Sequence, residues 1–264
     1  MGLKSQLKDK LPGPALGFLS DHFDILGNIA VLSLPEELRE YQCIIADAVI
    51  SRRPAVRTVL NKISRLEGSN RTAHFEILSG NDMVTVHREY GFTYRLDVRT
   101  VFYNPRLASE RKRVTDQVRP GERVLVPFCG VGPYAIPAAA RGAAVVAIDQ
   151  NPEACRWLEE NVLLNGVEDK VTIFSGDAFD TSLLPQGGFD RVIIPTPYGM
   201  DAIFDVITPM VKPRGMIHFY TFCNPDQSVA WGEGFVHRGF SLVITRRCGN
   251  VAPGISRWVF DLIK

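Results

Sequence analysis

The stretch from Glu122 to Asn165, ERVLVPFCGVGPYAIPAAARGAAVVAIDQNPEACRWLEENVLLN, constrains the fold more than any other part of the chain. Residues 124–128 are a short apolar run flanked by charge, the pattern of a buried strand. Gly130-Val131-Gly132-Pro133 breaks it. Residues 134–140 are small and apolar, as a helix packed on a sheet is, and Gly142 ends that helix. Residues 143–148 form a second buried strand, with Asp149 at its carboxyl end. Asn151-Pro152-Glu153 opens the next helix with a cap residue, a proline in the first turn and an acid near the positive helix end. Two parallel strands joined by a helix make a right-handed crossover, and ligands bind beyond the carboxyl ends of such strands.

The turn between strand and helix narrows the ligand. Its glycines let the backbone approach a bound group, and an acid about 20 residues on can take both hydroxyls of a ribose. A dinucleotide site calls for a third glycine, which is absent here, and Pro133 follows Gly132 directly. This argues against NAD or FAD. It favours S-adenosylmethionine, which has no pyrophosphate to cradle. Gly176-Asp177, after a third strand, adds to the pattern.

With 264 residues the chain is long enough for one medium domain and a smaller one. A 45% hydrophobic and 22% charged composition is that of a globular protein, and no apolar run approaches membrane-spanning length. The N-terminus, MGLKSQLKDKL, lacks a signal-peptide core. The five cysteines are widely spaced without a C-x-x-C pair, so free thiols in a reducing cytoplasm are expected. The five histidines form no ligand cluster, so no metal is expected, and no serine sits in a G-x-S-x-G elbow. His218, inside an apolar run, reads as a hydrogen-bonded core histidine. A net charge of +1 is not that of a tight nonspecific nucleic-acid binder, although a local basic face remains open.

Taken in order, residues 1–10 suggest a short helix or a loose end, and residues 11–19, with Pro12 and Pro14, an irregular segment. Residues 23–34 suggest a strand entering a turn at Gly27. Residues 36–51 have apolar positions at helical spacing. Residues 56–64 are a strand candidate. Residues 75–78 and 83–87 suggest a pair joined by a hairpin turn at Ser79-Gly80-Asn81-Asp82, and residues 90–98 a further strand. A small α+β domain is thus expected over residues 1–100, and a Rossmann-like doubly wound α/β domain over residues 101–264. A helix over 107–118 leads into the latter. Further strands are expected at 171–175, 189–195 and 215–222, helices at 201–208 and 227–238, and a terminal strand pair at 240–247 and 257–263.

Three clusters bear chemistry. Pro195-Thr196-Pro197-Tyr198 ends the fourth strand at the reacting edge, where proline-fixed carbonyls could accept from a base and Tyr198 could stack on it. In Tyr103-Asn104-Pro105-Arg106-Leu107-Ala108-Ser109-Glu110-Arg111, Arg106 and Glu110 are four apart. They read either as a guanidinium and a base or as an i,i+4 ion pair, and the spacing by itself favours the pair. Arg71, in Gly68-Ser69-Asn70-Arg71-Thr72, read alone is a solvated arginine.

Together FDILGNIAVLSLP, VLNKISRLEGSNRT, FEILSGNDMVTVHREYG, VFYNPRLASERKRV, CGVGPYAIP, IDQNPEACRWLEENVLLNGV, GDAFD, DRVIIPTP, GMIHFYTF and VAPGISRWVFDL resemble the archaeal and eukaryotic-type tRNA guanine-N1 methyltransferases and the related aminocarboxypropyl transferases of wyosine biosynthesis. The resemblance implies a class I methyltransferase fold, S-adenosylmethionine as cofactor and tRNA as partner. It implies Glu110 as the base, Arg106 as the group that polarises the target guanine, and Arg71 as a substrate-orienting residue. Expected cofactor contacts are Phe128, Gly130, Gly132, Tyr134, Asp149, Gln150, Asn151, Asp177, Ala178 and Pro195. Expected substrate contacts are Tyr103, Arg111, Pro197 and Tyr198. The family usually has D-x-F-A-G where this chain has Val126-Pro127-Phe128-Cys129-Gly130, and N-L-P where it has Pro195-Thr196-Pro197. The methyltransferases usually carry a separate tRNA-gripping domain before the catalytic unit. With so few residues ahead of that unit, such a domain is not expected here, and the length resembles that of the aminocarboxypropyl branch. Transfer to a different acceptor, aminocarboxypropyl transfer, and a non-catalytic binding role stay open beside guanine methylation.

Overall fold

The apolar runs between residues 123 and 194 become strands in the computed structural model, which describes residues 2–64 and 72–264. The chain divides into one unit of Met1–Glu89 with Thr93–Pro105 and another of Tyr90–Phe92 with Arg106–Lys264.

In the first unit, helices α1 (Leu3–Leu7) and α2 (Gly13–Phe18) precede a hairpin of β1 (Asp24–Leu26) and β2 (Ile29–Leu32). A 3-10 turn over Glu36–Tyr41 leads into α3 (Gln42–Arg52), and the chain returns as β3 (Thr58–Lys62), parallel to β2. Leu3, Leu7, Leu38, Ile45 and Val49 pack with Ala30 and Val59 into this unit's core. The segment around Pro12 and Pro14 is a helix rather than irregular, because a proline is tolerated in the first helical turn, where its missing N–H has no partner to lose.

The hairpin expected around Gly80 does not form. β4 (Phe75–Ser79) pairs antiparallel with β3, while β5 (Val84–Glu89) pairs with β6 (Phe92–Asp97) in a separate ribbon. Two hydroxyls redirect the chain. Thr58 Oγ1 accepts from the Asp82 N–H, tying the linker to β3, and Thr85 donates to the Leu26 carbonyl, drawing β5 toward the β1–β2 turn.

The second unit begins with α4 (Ala108–Thr115). β7 (Arg123–Pro127), α5 (Ala135–Ala140), β8 (Ala144–Asp149), α6 (Pro152–Leu164) and β9 (Val171–Ser175) build one half of the sheet. β10 (Phe189–Ile194), α7 (Ile203–Ile207), β11 (Val211–Cys223), α8 (Pro225–His237), β12 (Ser241–Ala252) and β13 (Ile255–Ile263) build the other. The strand order is β12-β13-β11-β10-β7-β8-β9. The order reverses between β7 and β10, and the strands from β9 to β11 are parallel. The expected terminal pair is present, with β13 inserted antiparallel beside β11 and β12 outside it. Leu125, Ile148, Val192, Ile194, Phe204, Phe219, Phe235 and Phe260 form the core of this unit.

Candidate active site

The turn after β7 is built from residues that take left-handed backbone angles: Phe128 (φ 53°), Gly130 (φ 53°) and Gly132 (φ 93°). For Phe128 this is a strained conformation, of the kind that concentrates at functional sites. A Cβ on Gly132 would lie 2.4 Å from Leu158 Cδ1 and 2.9 Å from Ile136 Cδ1. The second glycine therefore provides close helix packing, the task assigned to a third glycine in dinucleotide sites. Asp149 closes the turn from β8. Its Oδ2 accepts from the Gly130 N–H at 2.8 Å and its Oδ1 from the Asn151 N–H at 3.0 Å. Burial pushes its pKa up, against the pull of these two backbone bonds. Asn151 caps α6, accepting from the Glu153 N–H, a bond worth about 1 kcal/mol to a helix. Gln150 lies between these two, Asp177 accepts from the Phe179 N–H beyond β9, and Ala178 is buried.

A second group of side chains occupies one face of β11 and β13. The register pairs His218 with Asp261, Tyr220 with Val259 and Phe222 with Arg257, so these six share that face. Glu110 and Arg113 of α4 meet it. Glu110 is 4% exposed and accepts from Arg113 Nη2 at 2.7 Å, from Arg113 Nε at 3.0 Å and from the Tyr220 hydroxyl at 2.9 Å. Arg246 Nε, on the half-exposed β12 side, lies 3.8 Å from Glu110 Oε2. Arg113 also binds Asp261, with Nη1 to Oδ2 at 2.6 Å. Asp261 in turn meets His218 Nδ1 at 2.7 Å, and His218 Nε2 meets Arg191 Nη1 at 2.7 Å. Arg191 ends the chain on Glu122, with Nε to Oε2 at 2.8 Å.

Only one protonation pattern satisfies this line. An arginine cannot accept, so His218 Nε2 is the acceptor toward Arg191 and Nδ1–H donates to Asp261. Burial pushes the His218 pKa below its ordinary value, outweighing Asp261. Burial opposes the charge on Asp261, yet the bonds from His218 and Arg113 hold its carboxyl far below the usual range. His218 is thus the hydrogen-bonded core histidine expected from its strand.

The aromatic rings join the two groups. Tyr134, at the head of α5, has its ring 5.9 Å from that of Tyr220. Burial, with Tyr134 and Glu110 adding to it, raises the Tyr220 phenol well above its usual range. After β10, Thr196 is fully buried and both its N–H and its hydroxyl bond the Ile194 carbonyl, which fixes a tight turn between Pro195 and Pro197. The Pro197 carbonyl accepts from the Met200 N–H. Tyr198 projects from this turn, 63% exposed, its ring 5.5 Å from Phe222.

The remaining sequence candidates fall as follows. Arg106 is exposed in the 3-10 turn Pro105–Leu107, ahead of α4, so the expected i,i+4 pair with Glu110 is replaced by the i,i+3 pair with Arg113. Helical spacing does not hold across the change from 3-10 to α geometry. Arg111 is buried on α4. Tyr103 belongs to the first unit and donates its hydroxyl to Glu89 at 2.7 Å. Arg71 lies outside the described residues. Among the described residues no group of His, Cys, Asp or Glu forms a metal site, and no helix is long and apolar enough to cross a membrane. Sequence reasoning missed Arg113, Asp261, Tyr220, Phe222 and Arg257. The signal was in the last strand, where Arg257 and Asp261 stand at alternating positions of an otherwise apolar run.

The profile of the TRM5/TYW2 methyltransferase domain matches residues 85–231, and that of the TYW2 N-terminal domain matches residues 3–83. The chain is 37% identical to the tRNA (guanine(37)-N(1))-methyltransferase Trm5b of Pyrococcus abyssi, over 81% of this chain and 64% of that one. It therefore spans less than two thirds of that relative's length. The crystal structure of the same P. abyssi protein superposes with a TM-score of 0.86 at 33% identity, covering 96% of this chain and 78% of that one. The structure of P. horikoshii TYW2 in complex with MeSAdo superposes with a TM-score of 0.80 at 27% identity, covering 99% of this chain and 97% of that one.

Proposed function

We propose a function from one premise: this chain belongs to the TRM5/TYW2 methyltransferase family. It is an S-adenosylmethionine-dependent transferase that acts on tRNA and methylates N1 of the guanine just 3′ of the anticodon. The observation that carries this reading is the position of Glu110. Its carboxylate is buried, is fixed by Arg113, and is linked through the Tyr220 hydroxyl to the ring that packs on Tyr134 of the glycine turn. A carboxylate held beside the turn that receives the cofactor is what proton removal from an acceptor requires.

The residues fit S-adenosylmethionine. Asp149 is a partly buried carboxylate bonded by two backbone N–H groups and by no cation among the described residues, so each oxygen keeps a lone pair for a ribose hydroxyl. Bound there, the cofactor supplies an electrophilic carbon next to its sulfonium. The chain's own residues do the rest. Glu110 takes the N1 proton, Arg106 steadies the negative charge on the base oxygen, Tyr198 stacks on the base, and Arg71 and Arg111 orient the substrate. Their contribution is orientation and charge stabilisation. The five unpaired cysteines support a cytoplasmic location.

The test is transfer from methyl-labelled S-adenosylmethionine into bulk tRNA, followed by nucleoside analysis. Label is expected in 1-methylguanosine, and Glu110→Gln is expected to lower transfer roughly 100- to 10,000-fold. Full activity in that variant would remove Glu110 as the base. A second reading, aminocarboxypropyl transfer to tRNA, is favoured by the match to the TYW2 N-terminal profile and by the near-complete coverage of P. horikoshii TYW2. Cofactor labelled separately in the methyl and carboxyl carbons distinguishes them, since only the second label reaches tRNA in that case.

A further inference from the structure

Arg257 is the odd arginine of the second unit. It is 9% exposed, yet its Nε is buried without a partner, and no hydrogen bond or ion pair reaches its guanidinium among the described residues. A buried charge without a counter-group is costly, and buried guanidinium groups are ordinarily paired. The group lies over two aromatic rings instead, 4.9 Å from the Tyr220 centroid and 5.2 Å from that of Phe222. These contacts balance part of its charge and leave its in-plane N–H donors unused.

Its place gives those donors a use. Arg257 pairs with Phe222, one residue from the carboxyl end of β11, on the edge where ligands of such sheets bind. On one side the Tyr220 hydroxyl reaches Glu110. On the other, Phe222 packs against the exposed Tyr198. The guanidinium thus stands between the candidate base and the candidate stacking ring. Tyr198 offers a flat apolar face, which a planar ring uses and a phosphate does not. A planar fork of N–H donors matches the adjacent oxygen and ring nitrogen on one edge of a purine. A phosphate would have to shed its hydration to reach a group this buried.

We propose that Arg257, supported by Phe222 and Tyr198, is the specificity-determining residue of an acceptor-base subsite, donating hydrogen bonds to the edge of the purine that is modified. The assignment rests on the reading that this chain acts on tRNA, and it adds Arg257 to Arg106 and Tyr198 as a contact to the base.

The experiment measures equilibrium binding of two anticodon stem-loop RNAs to the full chain, one intact and one abasic at the target nucleotide. Wild type, R257Q and R257K are compared, with S-adenosylmethionine affinity measured by calorimetry on each. Wild type is expected to prefer the intact RNA by roughly tenfold or more. R257Q and R257K are expected to lose that preference while keeping cofactor affinity and the wild-type affinity for the abasic RNA. R257K keeps the charge without the fork, so loss of preference in both variants assigns the contact to the base. Retained preference overturns the proposal. So does an equal loss for both RNAs, which would assign Arg257 to a phosphate, and so does weakened cofactor binding, which would assign it to the cofactor carboxylate. A wild type with no preference overturns it as well. Absence of methyl transfer to tRNA, with the preference present in wild type and lost in R257Q, would sink the functional reading and leave the subsite standing.

Discussion

The two ends of one sheet face treat buried charge in opposite ways. At the inner end, His218 and Asp261 sit within a line of bonds that runs from Arg113 through Arg191 to Glu122, and each of these groups meets an opposite charge or a fixed dipole. At the outer end, only two residues further along β11 and β13 from Tyr220 and Val259, Arg257 meets only rings. The closed end is complete without a ligand. The open end is not. Satisfied polar groups hold an architecture in place, and an unsatisfied one at a ligand-binding edge marks where the architecture is used.

That contrast breaks most readily at its closed end. Asp261→Ala removes one of the two carboxylates that hold Arg113 and leaves the His218 Nδ1–H without an acceptor, and the expected loss of stability is about 1–3 kcal/mol, read from urea unfolding. A loss below about 1 kcal/mol would mean that the line of bonds is not holding the fold.

A smaller effect is expected from pH. Burial holds His218 neutral, so the folded state binds its proton more weakly than the unfolded chain does. Its contribution to stability is complete above the ordinary histidine pKa of about 6.5 and falls as the pH drops below it. The depressed Asp261 acts in the same direction, further into acid. The urea midpoint should therefore fall between about pH 7 and about pH 5. His218→Gln should flatten that fall, and a midpoint that rises on acidification would contradict the assignment.

At the open end, Arg257→Met should leave stability within about 1 kcal/mol of wild type or raise it, because an apolar side chain replaces a charge that has no counter-group. A loss comparable to that of Asp261→Ala would erase the distinction between the two ends. Tyr198→Ala, at an exposed position, should change stability by less than about 0.5 kcal/mol while raising KM for tRNA. An unchanged KM would remove Tyr198 from the acceptor side.

The fold of the second unit was legible because its signals are local. Apolar runs, glycines and the Asn151 cap each act within a few residues, and Asp149 stands at the end of its strand as the pattern requires. The first unit was harder to read. A turn-like sequence at Ser79-Gly80-Asn81-Asp82 suggested a hairpin, but Thr58 and Thr85, distant along the chain, decided which strands pair. Within the candidate site, the sequence singled out Glu110 but not Arg113, the partner the structure gives it. Arg106 stood at the right spacing for a continuous helix, and the 3-10 turn before Ala108 removed that spacing.

The sequence by itself determined the strand–turn–helix order, the glycine turn at Gly130 and Gly132, the acid that follows at Asp149 and the core status of His218. Each follows from residue chemistry and periodicity over short distances. Only the tertiary structure decided that Asp261 lies 2.7 Å from His218, that Arg113 rather than Arg106 holds Glu110, and that Arg257 remains without a counter-charge. These depend on the insertion of β13 beside β11, which sets residues 35 to 43 positions apart on one face. A register between distant strands is fixed by packing of the whole sheet, and no local pattern specifies it.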